Sequence, residues 1–454
     1  MSVRLIAIAK SALFAQRAAL EVVGHNVANV ETAGYVRQRP VLSAIPGAVT
    51  GEAGGGVELV DIKLLKDAML ATQIRGESGT LGGERAARET LLQVEHIFTD
   101  VTQGGMALRI EEMFDAWSDL GLDPTSATCR SQVVERSRLV ADTIADRWQS
   151  LADLRQEIDL RLSVTVDRAN ALAREVAQIN LEIGSTGSIS GRNDLEVRRD
   201  GLIDELAELC GAQAIEQPSG VVDVLIGGRR LVEHTRVTEL ELVPDPSAPG
   251  LHLVSLGGEV SPQGLRGEIA GRLQVRDAQI PAYMQHLDTL ARTLADEINA
   301  IHASGQDLSG GPGADLFEYD ASRPAATLNV RAAVIADRSL IAAARSDVVE
   351  SDGTNALAIN DLRNTRVLSG GTATLSQFAA ELISTVGLDA QSAQTRLDSR
   401  QLLVRSLQDA YSNQAGVSLD EEALELIRHQ QAYTAASRLM SVALETMDAI
   451  FALT

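Results

Sequence analysis

Residues 126–183 read as one uninterrupted helix. Its later part keeps a heptad, with Ile158, Leu162, Thr165, Ala169, Leu172, Val176, Ile179 and Ile183 spaced alternately four and three apart. That spacing draws one stripe along a helix and suits a coiled-coil or antiparallel helix pair. Asp123-Pro124 breaks the chain just before it, because proline lacks the N–H and the backbone freedom a continuing helix needs. A helix of this length cannot be buried inside a small globule, so the body of the chain is expected to be elongated and helical.

Both ends carry helices of similar character. Over about residues 2–30, Ile6, Leu13, Leu20 and Val27 recur seven apart, with Ala9, Gln16, Val23 and Val30 as a second seam. Taken alone, an ordinary capped core helix also accounts for this stretch. Asn26 and Asn29 close it, and Thr32-Ala33-Gly34-Tyr35 turns the chain, Gly34 suiting a position of positive φ. At the other end, residues 419–454 place Tyr433, Met440 and Met447 seven apart, with Leu444 and Phe451 on the adjoining seam. Ser418 or Asp420 fits the N-cap there, with Glu421 favoured by the helix dipole.

Between the ends, helical patterns occupy about 84–98, 106–120, 270–303, 354–363 and 373–413, with Pro281 expected to kink or restart the third. VELVDIKL, at 57–64, alternates like a strand. From 212 to 268 the period shortens: VVDVLIGGRRLV carries a hairpin signal at Gly227-Gly228, and TELELV and LHLVSL repeat the strand character. The expected fold is mainly α with a small β subdomain: paired N- and C-terminal coiled-coil helices, an elongated helical core domain with long helices, and inserted β-hairpins. The expected division is 1–46 with 415–454, 47–211 with 269–414, and 212–268.

Chemistry is sparse. Lys and Arg number 40 against 62 Asp and Glu, a net charge of −22, which disfavours a nucleic acid or anionic membrane held by charge. No apolar run approaches the ~18–20 residues of a membrane span, and Lys10 interrupts the apolar Leu5–Ala9 before it can serve as a cleaved signal. The 7 histidines are scattered, and no nucleophile elbow or phosphate loop occurs. Cys129 and Cys210 form no metal-binding spacing and read as buried free thiols. The acidic pairs Glu111-Glu112 and Glu421-Glu422 read as solvated helix faces. No catalytic residue, metal ligand or cofactor is expected.

Several separated segments resemble one family. Asn26-Val27-Ala28-Asn29 followed by Thr32-Ala33-Gly34-Tyr35 is similar to the N-terminal signature of bacterial flagellar rod, hook and hook-associated proteins. GVSLDEEALELIRHQQAYTAASRLMSVALETMDAIF, with Asp420, Glu421, Gln430 and Gln431 at the opening of the last helix, resembles the closing helix of the hook-associated FlgK family. GGGVELVDIKLLKDAMLATQIR, NDLEVRRDGLIDELAEL, GEIAGRLQVRDAQIPAYMQHLDTLARTLADEINAIHASGQDL and the run Asp352–Ala358 resemble blocks of that family in the same order. Only about 35 residues separate Phe317 from Asp352, so the β-rich outer domain of longer members is expected to be absent or vestigial near 318–351.

The resemblance implies a structural, non-enzymatic part of the bacterial flagellum that joins hook to filament. It implies export through the flagellar type III apparatus, an extracellular position, a ring of like subunits, contacts with hook protein and the second hook-associated protein FlgL, and a chaperone at the C-terminal helix before export. Ile6, Leu13, Leu20 and Val27 are expected to face Tyr433, Met440, Leu444, Met447 and Phe451, with ordering of the ends coupled to assembly. A hook or distal-rod protein is the nearest alternative, but its middle would be mostly β. A helical signalling module would need a membrane span, and a cell-wall hydrolase a convergent acid or metal site.

Overall fold

The computed structural model describes residues 2–32, 35–46, 54–99, 105–186, 189–218, 220–260, 264–345, 349 and 351–451. The chain opens with α1 (Ser2–Ala28) and a two-stranded antiparallel ribbon of β1 (Gln38–Ile45) and β2 (Gly56–Leu64). Helices α2 (Ala68–Phe98), α3 (Met106–Leu122), α4 (Ala127–Ser185) and α5 (Ile189–Cys210) follow. Ser126 caps α4, its hydroxyl accepting from the Cys129 N–H. The long helix expected over 126–183 is thus present, and the structure is mainly helical with a few small antiparallel sheets.

The β-rich segment contains β3 (Gln213–Glu216), β4 (Val222–Ile226), β5 (Arg229–Glu233) and β6 (Arg236–Val237) in one sheet. A second sheet holds β7 (Leu240–Pro244), β8 (His252–Leu256) and β9 (Glu259–Val260). Gly227 and Gly228 make the β4–β5 turn at φ 56° and 82°, the left-handed pair that a two-residue hairpin demands. Buried asparagines on α4 fasten these strands to it. Asn170 donates to Leu240 O (2.9 Å) and accepts from Leu240 N (2.8 Å), engaging both backbone groups of that residue. Asn180 does the same for Val222.

Helix α6 (Gly267–Gln274) runs through one π turn, Val275–Gln279, into α7 (Ile280–Ala303). Pro281 therefore neither stops nor restarts the helix. The wider turn, with the Ile280 N–H donating to Val275 O, accommodates a residue whose ring would crowd an ordinary α turn. Only short pieces follow among the described residues: β10 (Phe317–Glu318) paired with β11 (Asn329–Val330), α8 (Pro324–Thr327), α9 (Ala332–Ala336) and a 3-10 turn at Arg338–Leu340. Then come α10 (Thr354–Asp361), α11 (Leu375–Ala415), opened by a capping box at Thr374 and Gln377, and α12 (Leu419–Phe451).

The largest core lies among α3, α4, α7 and the start of α11, with Phe114, Trp117, Ile144, Leu151 and Leu287 inaccessible to solvent. Helix α2 starts at Ala68, well before the expected position near 84, because Gly76, Gly79, Gly82 and Gly83 mask its pattern. Those glycines have a packing reason. A Cβ on Gly79 would lie 2.8 Å from the Ala207 carbonyl oxygen, and one on Gly82 would strike that of Glu208. There α2 and α5 cross backbone against backbone. Cys210 is buried as expected, whereas Cys129 is half-buried.

Candidate assembly site at the paired termini

Helices α1 and α12 lie antiparallel, as two contacts far apart along them show: Asn26 meets Glu422, and Gln16 Oε1 accepts from His429 Nδ1 at 2.7 Å. Burial and partial exposure of α1 reflect two neighbours, α12 and the β1–β2 ribbon. The Ser11 hydroxyl donates to Ile8 O and accepts from Val57 N, fixing the ribbon to the helix.

The buried positions of the two helices, covered on α1 by α12 and the ribbon together, are mostly small. Ala9, Ala15, Ala19, Val22, Val23 and Asn26 are buried on α1, and Glu422, Ala436 and Ala443 on α12. The heptad residues themselves are only partly covered. Ile6, Leu13 and Leu20 are half-buried and Val27 is exposed; Met440 and Met447 are half-buried, and Tyr433 and Leu444 exposed. The Phe451 side chain lies outside the described residues. The reason is geometric: a strict seven-residue repeat drifts about 20° per turn-pair around a straight helix, so it cannot hold one face. Alanine permits the closest approach, and the larger side chains flank the contact as half-open apolar stripes.

At the exit of α1 the side chains converge. Asn26, 1% exposed, donates to Gln38 O (2.8 Å) and to Glu422 Oε2 (3.0 Å), and accepts from Gln38 N (2.9 Å) and the Tyr35 hydroxyl (2.9 Å). Every hydrogen-bonding position of its amide is used. With the phenol proton given to Asn26, His25 Nδ1 is the donor in its 2.9 Å contact with Tyr35 Oη. Burial, then the charges of Asp194 and Glu422, push the Tyr35 phenol up to about 12, so it stays protonated as a donor. Thr32 donates to Asn29 Oδ1 at 3.2 Å and Asn29 donates to His25 O at 2.9 Å, which ties off the helix end. Gly34 lies outside the described residues.

Glu422 overturns the solvated reading of Glu421-Glu422: it is 1% exposed. Arg37 Nε donates to Glu422 Oε1 at 2.6 Å while its other arm reaches the exposed Glu421. A buried carboxylate is tolerated only when paired and hydrogen-bonded, and Arg37 and Asn26 supply both. Asp420, Gln430 and Gln431 are exposed and join no part of this cluster. Sequence reasoning missed Arg37, Gln38 and Glu422. The spacing of Arg37 just past the Asn26–Tyr35 turn was the available signal, but its partner lies at the other end of the chain. Burial also lowers the pKa of His429, against the nearby Glu425.

Among the described residues no cluster of three or more His, Cys, Asp or Glu could hold a metal ion, and no helix is long and apolar enough to cross a membrane. The geometry is that of a fastening between chain ends, with apolar flanks left open.

Residues 91–317 match the family described as Flagellar hook-associated protein FlgK helical domain. Residues 6–35 match the Flagella basal body rod protein family, and 408–453 the Flagellar basal body rod FlgEFG protein C-terminal family. Flagellar hook-associated protein 1 of Bacillus subtilis (strain 168) is 24% identical over 488 residues, covering 97% of this chain and 96% of the relative. Its namesake in Salmonella typhimurium is 23% identical over 544 residues, covering 97% and 98%. An alignment of 544 positions against a chain of 454 leaves at least 90 with no counterpart here. In fold, the chain is similar to the flagellar hook junction protein FlgK from Burkholderia pseudomallei, with a TM-score of 0.67 and 16% identity, covering 76% of this chain and 100% of that one.

Proposed function

The chain belongs to the FlgK family of flagellar hook-associated proteins, and from that membership we propose that it is the subunit joining hook to filament, a structural part rather than an enzyme. In this reading it leaves the cell through the flagellar type III apparatus and assembles at the hook tip as a ring of like subunits. Hook protein lies on one side and FlgL on the other, and an export chaperone holds the C-terminal helix beforehand. The observation that carries the reading is the antiparallel α1–α12 pair, closed by Asn26, Arg37 and Glu422 yet open along its flanks.

Phe14 (61%), Leu424 (69%), Ile427 (50%) and Val442 (54%) stand exposed on helices whose buried positions are mostly small. Neighbouring subunits would cover these groups together with the stripes of Ile6, Leu13, Leu20 and Val27 and of Tyr433, Met440, Leu444, Met447 and Phe451. The turn of Asn26, Asn29, Thr32, Gly34 and Tyr35 would then set the angle at which the ends leave the body. Asp420, Glu421, Gln430 and Gln431 would offer polar contacts at the opening of α12. The helical middle favours the junction over a hook or distal-rod role, since the rod-family matches are confined to the two ends. The short elements between Phe317 and Asp352 support the loss of an outer domain.

The test is genetic. Cells lacking the chain should bear hooks without filaments; the full chain should restore filaments, and chains lacking residues 2–28 or 419–451 should not. Normal filaments on cells without the chain would overturn the proposal.

A further inference from the structure

Arg39 on β1 pairs directly across the ribbon with Lys63 on β2, and both are exposed. Like charges facing each other in an antiparallel pair repel, and neither has an ion-pair partner among the described residues. Together with Gln38 and Arg428 they line a groove of about 690 Å³ between the ribbon and the opening turns of α12. Gln38 is 3% exposed and its Nε2 lacks any hydrogen-bond partner, an unmade bond that a buried amide does not leave without cost. The carboxylates of the groove are already engaged: Glu421 and Glu422 by Arg37, and Glu425 by Arg428 at 3.4 Å and His429 at 3.6 Å. Arg39 and Lys63 are therefore the groove's uncompensated cations.

The far end of α12 has the opposite imbalance. Glu445 and Asp448 are exposed and have no ion-pair partner among the described residues. No basic residue occupies the last turn, where the helix dipole disfavours anions. From Glu422 to Asp448 the helix runs about 39 Å at ~1.5 Å per residue, so these carboxylates cannot reach the groove of their own molecule.

We propose that the groove is a docking site for a second copy of this chain, Arg39 and Lys63 receiving the carboxylates of Glu445 and Asp448 of that copy. Where successive copies point the same way the contact is head-to-tail, and it then propagates into a ring or a helical array instead of closing as a dimer. Two locally unfavourable features, the like-charge pair and the acidic helix end, relieve each other.

This inference rests on the assembly reading above, and its test separates the two. Strains would carry R39E/K63E, E445K/D448K, or all four changes, with far-UV circular dichroism of each purified full-length chain as the check on folding. The readout is the amount of chain in purified hook–filament particles. Each double reversal is expected to lower it about tenfold, the scale of a well-placed charge network, and the fourfold exchange to restore it. In wild-type particles mixed from heavy- and light-isotope cells, zero-length carbodiimide coupling should join Lys63 to Glu445 or Asp448 between copies. Double reversals that incorporate normally, a fourfold exchange no better than the doubles, or Lys63 coupled to a different protein would overturn the groove proposal while leaving the junction role standing. Absence of the wild-type chain from the particles would overturn the junction role itself.

Discussion

Asn26 Nδ2 donates to Glu422 Oε2 at 3.0 Å although the two residues are 396 positions apart in the chain. One amide thereby joins the first helix to the last, and the same amide brackets the Gln38 peptide through its N–H and C=O. The fastening is polar and buried, so it is demanding about geometry as well as composition.

Removing the cation should expose that demand. Arg37→Ala leaves the Glu422 carboxylate buried without its charge partner, and is expected to weaken pairing of the ends by about 3–5 kcal/mol. Release of the chain from assembled particles along a guanidinium titration should then occur at lower denaturant. Arg37→Lys should recover part of the loss, because a point charge cannot span Glu421 and Glu422 as the guanidinium does. An unchanged midpoint for Arg37→Ala would show that Glu422 does not depend on it.

The glycines of α2 make a paired prediction. Gly82→Ala forces a methyl against the Glu208 carbonyl and should lower stability by about 1–3 kcal/mol. Gly76→Ala meets nothing within 4 Å and should raise it by about 0.5–1 kcal/mol through reduced backbone freedom in the unfolded chain. Denaturant melts of the two variants should move in opposite directions; a shared direction would contradict the close crossing.

His302 should give the core a pH dependence. It is fully buried; Nδ1 donates to Ala314 O and Nε2 accepts from Ala342 N at 2.9 Å. Burial pushes its pKa down, with Arg130 acting the same way, while the Ala314 carbonyl and Asp315 oppose. The unfolded chain takes up a proton near pH 6.5 and the folded chain resists until lower pH. The stabilisation is therefore complete above about 6.5 and is lost as the pH falls from there toward the folded value. His302→Gln should cost more stability at pH 7.5 than at pH 5; an equal cost at both would remove the coupling.

Hydrogen exchange on the isolated chain should distinguish the ends from the body. Residues 2–32 and 415–451 are expected to exchange rapidly around a protected core of α3, α4 and α7, because the mostly small buried positions leave much apolar surface uncovered until neighbours arrive. Slow exchange throughout would mean that the ends are ordered before assembly.

How far the sequence reaches is clearest at the asparagines. Asn26 is recognisable as part of a turn signature, yet Asn170 and Asn180, which bind strands to α4 by the same amide geometry, leave no pattern, since a helix tolerates asparagine on any face. The heptads of the terminal helices mark both as amphipathic, but the most deeply buried positions there include Ala15, Ala19, Ala436 and Ala443, which a search for large apolar residues passes over. Glu421 and Glu422 are neighbours of one type; only the fold buries one and leaves the other in water.

By itself the sequence determined the helical body, the long α4, the hairpin at Gly227-Gly228 and the amphipathic character of both ends, because hydrophobic period and turn chemistry act over a few neighbouring residues. The tertiary structure alone decided which faces meet, how Glu422 finds Arg37, and that α2 passes close enough to α5 to require glycine. Those outcomes depend on distances between segments hundreds of residues apart, and no local spacing encodes a distance of that kind.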